Sequence, residues 1–154
     1  MEMNIDYYKQ YEPIFGSWYI KELLGEGSFG KVYEIEREDL EITYKAALKV
    51  ITIPQSQSEI KSIMADGMDE VSITEYYMGF VRDIAHEFEL MSKMKGNSNV
   101  VSYEDHQVIK HKDGIGWDIL IRMELLTPLF DYVKNNIMTR KDVIQLGIDI
   151  CKAL

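Results

Sequence analysis

Three glycines at the spacing Gly25-Glu26-Gly27-Ser28-Phe29-Gly30 carry the clearest chemistry in this 154-residue chain. Glycines so placed let backbone N–H groups approach phosphate oxygens without intervening side chains. The spacing alone is shared by dinucleotide-binding folds, by hairpins that cover nucleotides and by unrelated turns. The residues that follow decide among them. In a dinucleotide fold the last glycine opens a helix whose N-terminus holds pyrophosphate, whereas residues 31–36 here alternate with β-branched and aromatic side chains. The segment therefore reads as strand, glycine loop, strand, a hairpin able to close over phosphates. Other chemistries are poorly supplied. Cys151 stands alone, cannot form an internal disulfide, and reads as a small buried apolar residue; the histidines at 86, 106 and 111 lack the spacing of a zinc site, so no metal ligands are assigned.

The elements that must position this loop follow from changes in hydrophobic period. Residues 18–24 and 31–36 form the hairpin, a charged turn spans 36–41, and 44–51 make a third strand that stops before Pro54. Residues 55–72 are polar and read as a long connection, mobile or weakly helical, with one short helix near 59–64. From 73 to 94, apolar residues at 73, 77, 80, 84, 88 and 91 trace the stripe of a helix packed on a sheet, ended by Gly96 and Asn97. Strands at 100–109 and 117–126 flank a turn with Gly114 and Gly116, and beyond Pro128 the pattern is helical to the last residue. A charge of −9, from 26 acidic against 17 basic side chains, argues against coating a polyanion, so no nucleic-acid partner is expected. No apolar run approaches the roughly 18 residues of a membrane span, and the acidic start is unlike a signal peptide. A cytoplasmic location without membrane contact is the expectation.

With the order of motifs in view, the chain resembles the protein kinase family. Gly25-Glu-Gly-Ser-Phe-Gly-Lys-Val32 matches the full pattern of that family's glycine-rich loop, and Ala46-Ala-Leu-Lys49 stands in place of its V-A-I-K strand, with alanine for valine at the first position. By strand alternation Ala47 and Lys49 share one face, a small residue that leaves room for a planar ring beside a cation for phosphates. The resemblance implies a helical glutamate paired with that lysine. Glu87 fits the local pattern through Leu90, Met91 and Met94, where Glu89 would offer Ser92, Lys93 and Gly96. It further implies that Met123 precedes a hinge in which the main chain of Glu124 and Leu126 holds adenine, that Asp131 lies near the ribose, and that Met91 and Tyr103 stack between helix and sheet.

What the resemblance implies as a whole is an α+β fold: a kinase small lobe with a five-stranded antiparallel sheet and one long packed helix, followed by the first helices of a truncated large lobe. The divisions expected are an N-terminal extension over 1–17, the ATP-binding lobe over 18–124, and the hinge with the start of the large lobe over 125–154. Nucleotide contacts are expected at Gly25, Glu26, Gly27, Ser28, Phe29, Gly30, Val32, Ala47, Lys49, Met123, Glu124 and Leu126, with Lys49 and Glu87 in catalytic roles. The implied activity is transfer of the ATP γ-phosphate to Ser or Thr hydroxyls of a protein substrate, with Mg held by ligands outside these residues. No H-R-D catalytic loop and no D-F-G occur; His111-Lys-Asp113 resembles the former only superficially, since it sits in a glycine-flanked turn before the fifth strand. The stretch alone is therefore expected to be inactive, and a pseudokinase or kinase-like scaffold is the alternative. The uncovered face of residues 144, 148, 151 and 154 suggests self-association through the C-terminal helices.

Overall fold

The computed structural model describes residues 5–154; the first four residues of the expected N-terminal extension lie outside them. The described elements are α1 (Ile5–Lys9), β1 (Tyr19–Gly27), β2 (Gly30–Asp39), β3 (Ile42–Ile53), α2 (Gln57–Ala65), α3 (Glu70–Lys93), β4 (Tyr103–Lys110), β5 (Trp117–Met123), α4 (Leu129–Asn135) and α5 (Arg140–Ala153). The strands form one five-stranded antiparallel sheet in the order β1-β2-β3-β5-β4. The class is therefore α+β, with one long helix against the sheet.

Period-2 alternation in β3 sorts its side chains to two covered faces. Ile51 and Ile53 turn toward α3, where Ile73, Tyr77, Val81 and Phe88 meet Ile119, Ile121 and Trp117 of β5. Ala46, Leu48 and Val50 turn the other way, onto a second core of Tyr33, Ile35, Leu120 and the segment before β1, Tyr8, Ile14 and Trp18. This second cover was not foreseen. The covering segment is short and aperiodic, with one turn of α1, an isolated bridge from Ile14 to Trp18, and aromatic rings rather than a stripe. Arg122 and Arg37 lie 5.1 and 5.5 Å from the Trp18 ring, holding it by cation–π attraction.

Beneath that cover lies the one fully buried carboxylate of the described residues, Asp118 in β5. Its Oδ1 accepts from the Thr52 hydroxyl at 2.6 Å, and its Oδ2 accepts from the Tyr11 and Tyr7 hydroxyls at 2.6 and 3.1 Å, with His111 Nε2 at 3.2 Å. A buried charge is tolerable only when its lone pairs are so filled. The network ties α1 and the turn after it to β3 and β5.

Several boundaries differ from those read in the sequence. The long helix begins at Glu70 rather than 73, because Asp69 caps it by accepting from Ser72 N at 2.9 Å and Ser72 Oγ at 3.1 Å. The same two bonds hold the Asp69 carboxyl below its usual range. Within α3, Val81 is buried where the apolar stripe named Phe80, which is half exposed and rests edge-on against Tyr76. The connection at 55–72 carries the regular helix α2, capped by Ser56 and anchored through buried Ile60. Strand β4 starts at Tyr103 rather than 100, since Asn97 Oδ1 turns the chain by accepting from Asn99 N. Strand β5 ends at Met123, after which Glu124 closes on Ser102 in both directions: its N–H reaches the Ser102 carbonyl at 3.0 Å and its carboxylate accepts from Ser102 N at 2.7 Å.

At the C-terminal end, α5 starts in a complete capping box between Thr139 and Asp142. None of its side chains is buried. Ile144, Ile148 and Leu154 are exposed, and so is Cys151, which corrects the buried position read for it. The helical period is present, but no described surface covers it.

Candidate functional site

The glycine hairpin closes with Gly27 paired to Gly30, leaving Ser28 and Phe29 as the tip. Its three glycines answer to different demands. Gly30 has φ +116° and faces the Val50 carbonyl so closely that a Cβ would lie 2.1 Å from the oxygen, so glycine is required there by the fold itself. Gly25 and Gly27 have ordinary backbone angles, and a Cβ on either would meet nothing within 4 Å. The protein does not need those two glycines for packing, and their bare backbone leaves a surface that another molecule can approach.

Lys49 is half-buried, on the α3 side of β3, with Val32 of β2 and Ile121 of β5 as cross-strand neighbours. Ala47 is buried two residues earlier and pairs with Met123. Alternation thus places Ala47 and Lys49 on the same face, as their spacing predicts. Between that face, the hairpin tip and α3 runs a cavity of about 590 Å³, lined by Phe29, Lys49, Glu87 and Met123 among others. That volume lies within the range of pockets that hold small molecules. A second cavity of about 350 Å³, lined by Glu26, Gly27, Ser28 and Gly30 together with Tyr8 and Thr52, lies against the hairpin as well. Gly25, Val32, Ala47, Glu124 and Leu126 line neither.

Lys49 and Glu87 share the larger cavity but form no ion pair among the described residues, and Glu87 is exposed. Phe88, the next residue, is buried in the core and stacks on Tyr103 with ring centroids 5.7 Å apart and nearly parallel planes. The aromatic partner of Tyr103 is thus Phe88; Met91 packs at the edge of the same cluster. The Tyr103 hydroxyl bonds to His106 Nδ1.

Two further residues at this site were missed by sequence reasoning. Glu59 of α2 lines the large cavity and accepts from the Tyr77 hydroxyl at 3.3 Å, so the cavity holds two carboxylates and one ammonium. Burial, and then the Glu59 charge, push the Tyr77 phenol above its ordinary pKa. The short helix read near 59–64 already held Glu59, and Ser56-x-x-Glu59 has the spacing of a helix start, but neither signal shows that its side chain reaches the cavity. Gln55 lines both cavities and donates from Nε2 to the Ser28 carbonyl at 2.8 Å.

At the far end of β5, Glu124 uses its N–H on Ser102, while its carbonyl and the N–H and carbonyl of Leu126 make no hydrogen bond within the described residues. Chemically, open glycine backbone, a half-buried ammonium and main-chain groups that make no hydrogen bond among the described residues fit a ligand with phosphates and a flat polar ring. For a divalent ion the fit is absent, since the described residues hold no group of three His, Cys, Asp or Glu placed to bind one.

The chain is 24% identical over 141 residues to the serine/threonine-protein kinase AKL1 of Saccharomyces cerevisiae, an alignment that covers 85% of this chain and 12% of that protein. This is a distant likeness to a protein kinase, and the chain spans about an eighth of the relative's length. No protein-family model matches the chain. No helix among the described residues is long and apolar enough to cross a membrane.

Proposed function

We propose that residues 18–124 are the ATP-binding small lobe of a protein kinase directed at Ser and Thr, with 125–154 forming the hinge and the start of the second lobe. The observation that carries this reading is the convergence of Lys49, Glu87, Met123 and the tip residue Phe29 on one cavity, in the chain order the kinase resemblance requires. In this reading Gly25 and Gly27 present backbone N–H groups to phosphates, and Lys49 neutralises the α and β phosphates. Ala47 and Met123 bound the space for the base, and the Glu124 and Leu126 main chain recognises its edge. Glu87 orients Lys49 once α3 turns inward. The distant likeness to a yeast Ser/Thr kinase supports the class. The general base and metal ligands of the reaction are not among these residues, so the activity belongs to a protein that supplies them.

A second reading, a kinase-like binding module that transfers no phosphate, is favoured by the unpaired Lys49 and Glu87. Labelled-phosphate transfer by the full-length protein, with and without Lys49→Met, tests both. Transfer by the wild type that disappears in the variant, at an unchanged melting temperature, supports the kinase. Near-normal transfer by the variant overturns the assignment of Lys49. ATP binding without transfer by the full-length wild type favours the binding module.

A further inference from the structure

We infer that Gln55 is a positioning residue that latches the tip of the glycine hairpin and so sets its affinity for polyphosphate; the second clause rests on the nucleotide reading above. The hairpin is held along β2 by its pairing with β3, which reaches up to Gly30, wedged on the Val50 carbonyl beside the tip. The tip needs an anchor of its own. Ser28 and Phe29 make one tertiary hydrogen bond among the described residues, from Gln55 Nε2 to the Ser28 carbonyl at 2.8 Å, and Phe29 is otherwise 77% exposed.

The donor is well placed for such a role. Its backbone follows the end of β3 at Ile53 and directly precedes Ser56, the cap of α2, so both flanks of Gln55 belong to fixed elements. An amide donor held in this way loses less freedom on bonding than one on a loose loop. The consequence for the loop comes from peptide planarity: in a trans unit the C=O of Ser28 and the N–H of Phe29 lie in one plane and point in opposite directions, so fixing the first aims the second. The bond therefore sets the direction of a tip N–H, the type of group that would meet phosphate oxygens. Gln55 also stands in the wall between the two cavities, so tip and wall move together.

Gln55→Met keeps the length of the side chain, removes the donor and leaves the charge unchanged, and because Gln55 is exposed the fold should survive. Amide exchange at residues 28–31 in the protein without nucleotide reads the latch directly, while titration with a non-hydrolysable ATP analogue and with adenosine reads its use. An exposed hydrogen bond of ordinary net strength corresponds to about two- to tenfold in each quantity. Expected are faster exchange at the tip by that factor, ATP-analogue binding weakened by a similar one, and adenosine binding unchanged, a split that general loosening would not produce. Unchanged exchange overturns the latch. Faster exchange with undiminished analogue affinity overturns its positioning role. If the wild type binds no ATP analogue, the nucleotide reading falls, and the exchange result still decides whether the latch exists.

Discussion

Gly30 lies against Val50 so tightly that the β-carbon it lacks would sit 2.1 Å from the Val50 carbonyl oxygen. Gly30→Ala must therefore displace β2 from β3 while also forcing alanine to φ +116°. A loss of about 2–4 kcal/mol of unfolding free energy is expected. Gly27→Ala meets open space and should change stability by less than about 1 kcal/mol, while weakening ATP-analogue binding through the obstructed backbone. Urea melts beside nucleotide titrations of the two variants separate the structural glycine from the ligand-facing one.

The Asp118 network makes a second prediction. Tyr11→Phe removes a 2.6 Å bond to a buried carboxylate and should lower stability by about 1.5–3 kcal/mol. Asp118→Leu, which removes the acceptor shared by the Thr52, Tyr7 and Tyr11 hydroxyls, should lower it by at least as much. Equilibrium denaturation of both variants checks the order.

Alkaline pH should unfold the protein from the face opposite α3. Desolvation raises the Tyr8 and Tyr33 phenols from 10 to about 12, and Tyr7 and Tyr11 are raised as well, beside Asp118. A phenol whose folded pKa exceeds its unfolded value binds its proton more tightly in the native state. The stability it contributes is complete below pH 10 and is lost as pH climbs to about 12. Denaturation midpoints across that window, followed with phenolate absorbance, should fall together, and Tyr8→Phe should flatten the decline.

The β2–β3 turn offers a gain. Leu40 and Glu41 occupy φ 47° and 63°, the left-handed region that a two-residue hairpin turn requires but that neither side chain favours. The double substitution Leu40→Asn with Glu41→Gly installs the pair such a turn prefers and should raise stability by about 1 kcal/mol without touching the cavity. A higher urea midpoint with an unchanged slope is the expected result.

Much of this architecture could be read from local pattern. The glycine spacing, the alternation through Lys49 and the apolar steps from Ile73 to Met91 each report a backbone period, and a period survives in a single sequence. What escaped was tertiary. Tyr7, Tyr8, Tyr11 and Ile14 belong to no period, so nothing announced that they cover the sheet, nor that Asp118, a charge inside an apolar strand, is a common acceptor for two of them. At the candidate site, residue types and faces were legible, but the separation of Lys49 from Glu87 was not. It depends on how α3 lies against the sheet, where Phe88 stacks on Tyr103, and such tertiary placement has no signature in local pattern. Gln55 was hidden for the same reason: its partner, the Ser28 carbonyl, is a main-chain group with no signature in the sequence.

The tyrosine clasp also dictates an order of assembly. Tyr7 and Tyr11 leave the ribosome well before Asp118, which holds their hydroxyls and follows them by 111 and 107 positions. Contacts spanning that much chain form slowly, because the intervening loop must close before they stabilise anything. The β1–β2–β3 meander can form meanwhile from neighbouring segments, leaving Leu48, Ile35 and Val50 bare on one side until β5 arrives and the segment before β1 folds back over them. The nascent chain thus carries an open apolar sheet face while β4 and β5 are still being made, a vulnerable interval for sticking to other chains. Docking of the covering segment, visible as quenching or burial of Trp18, is expected as the last and slowest event of refolding.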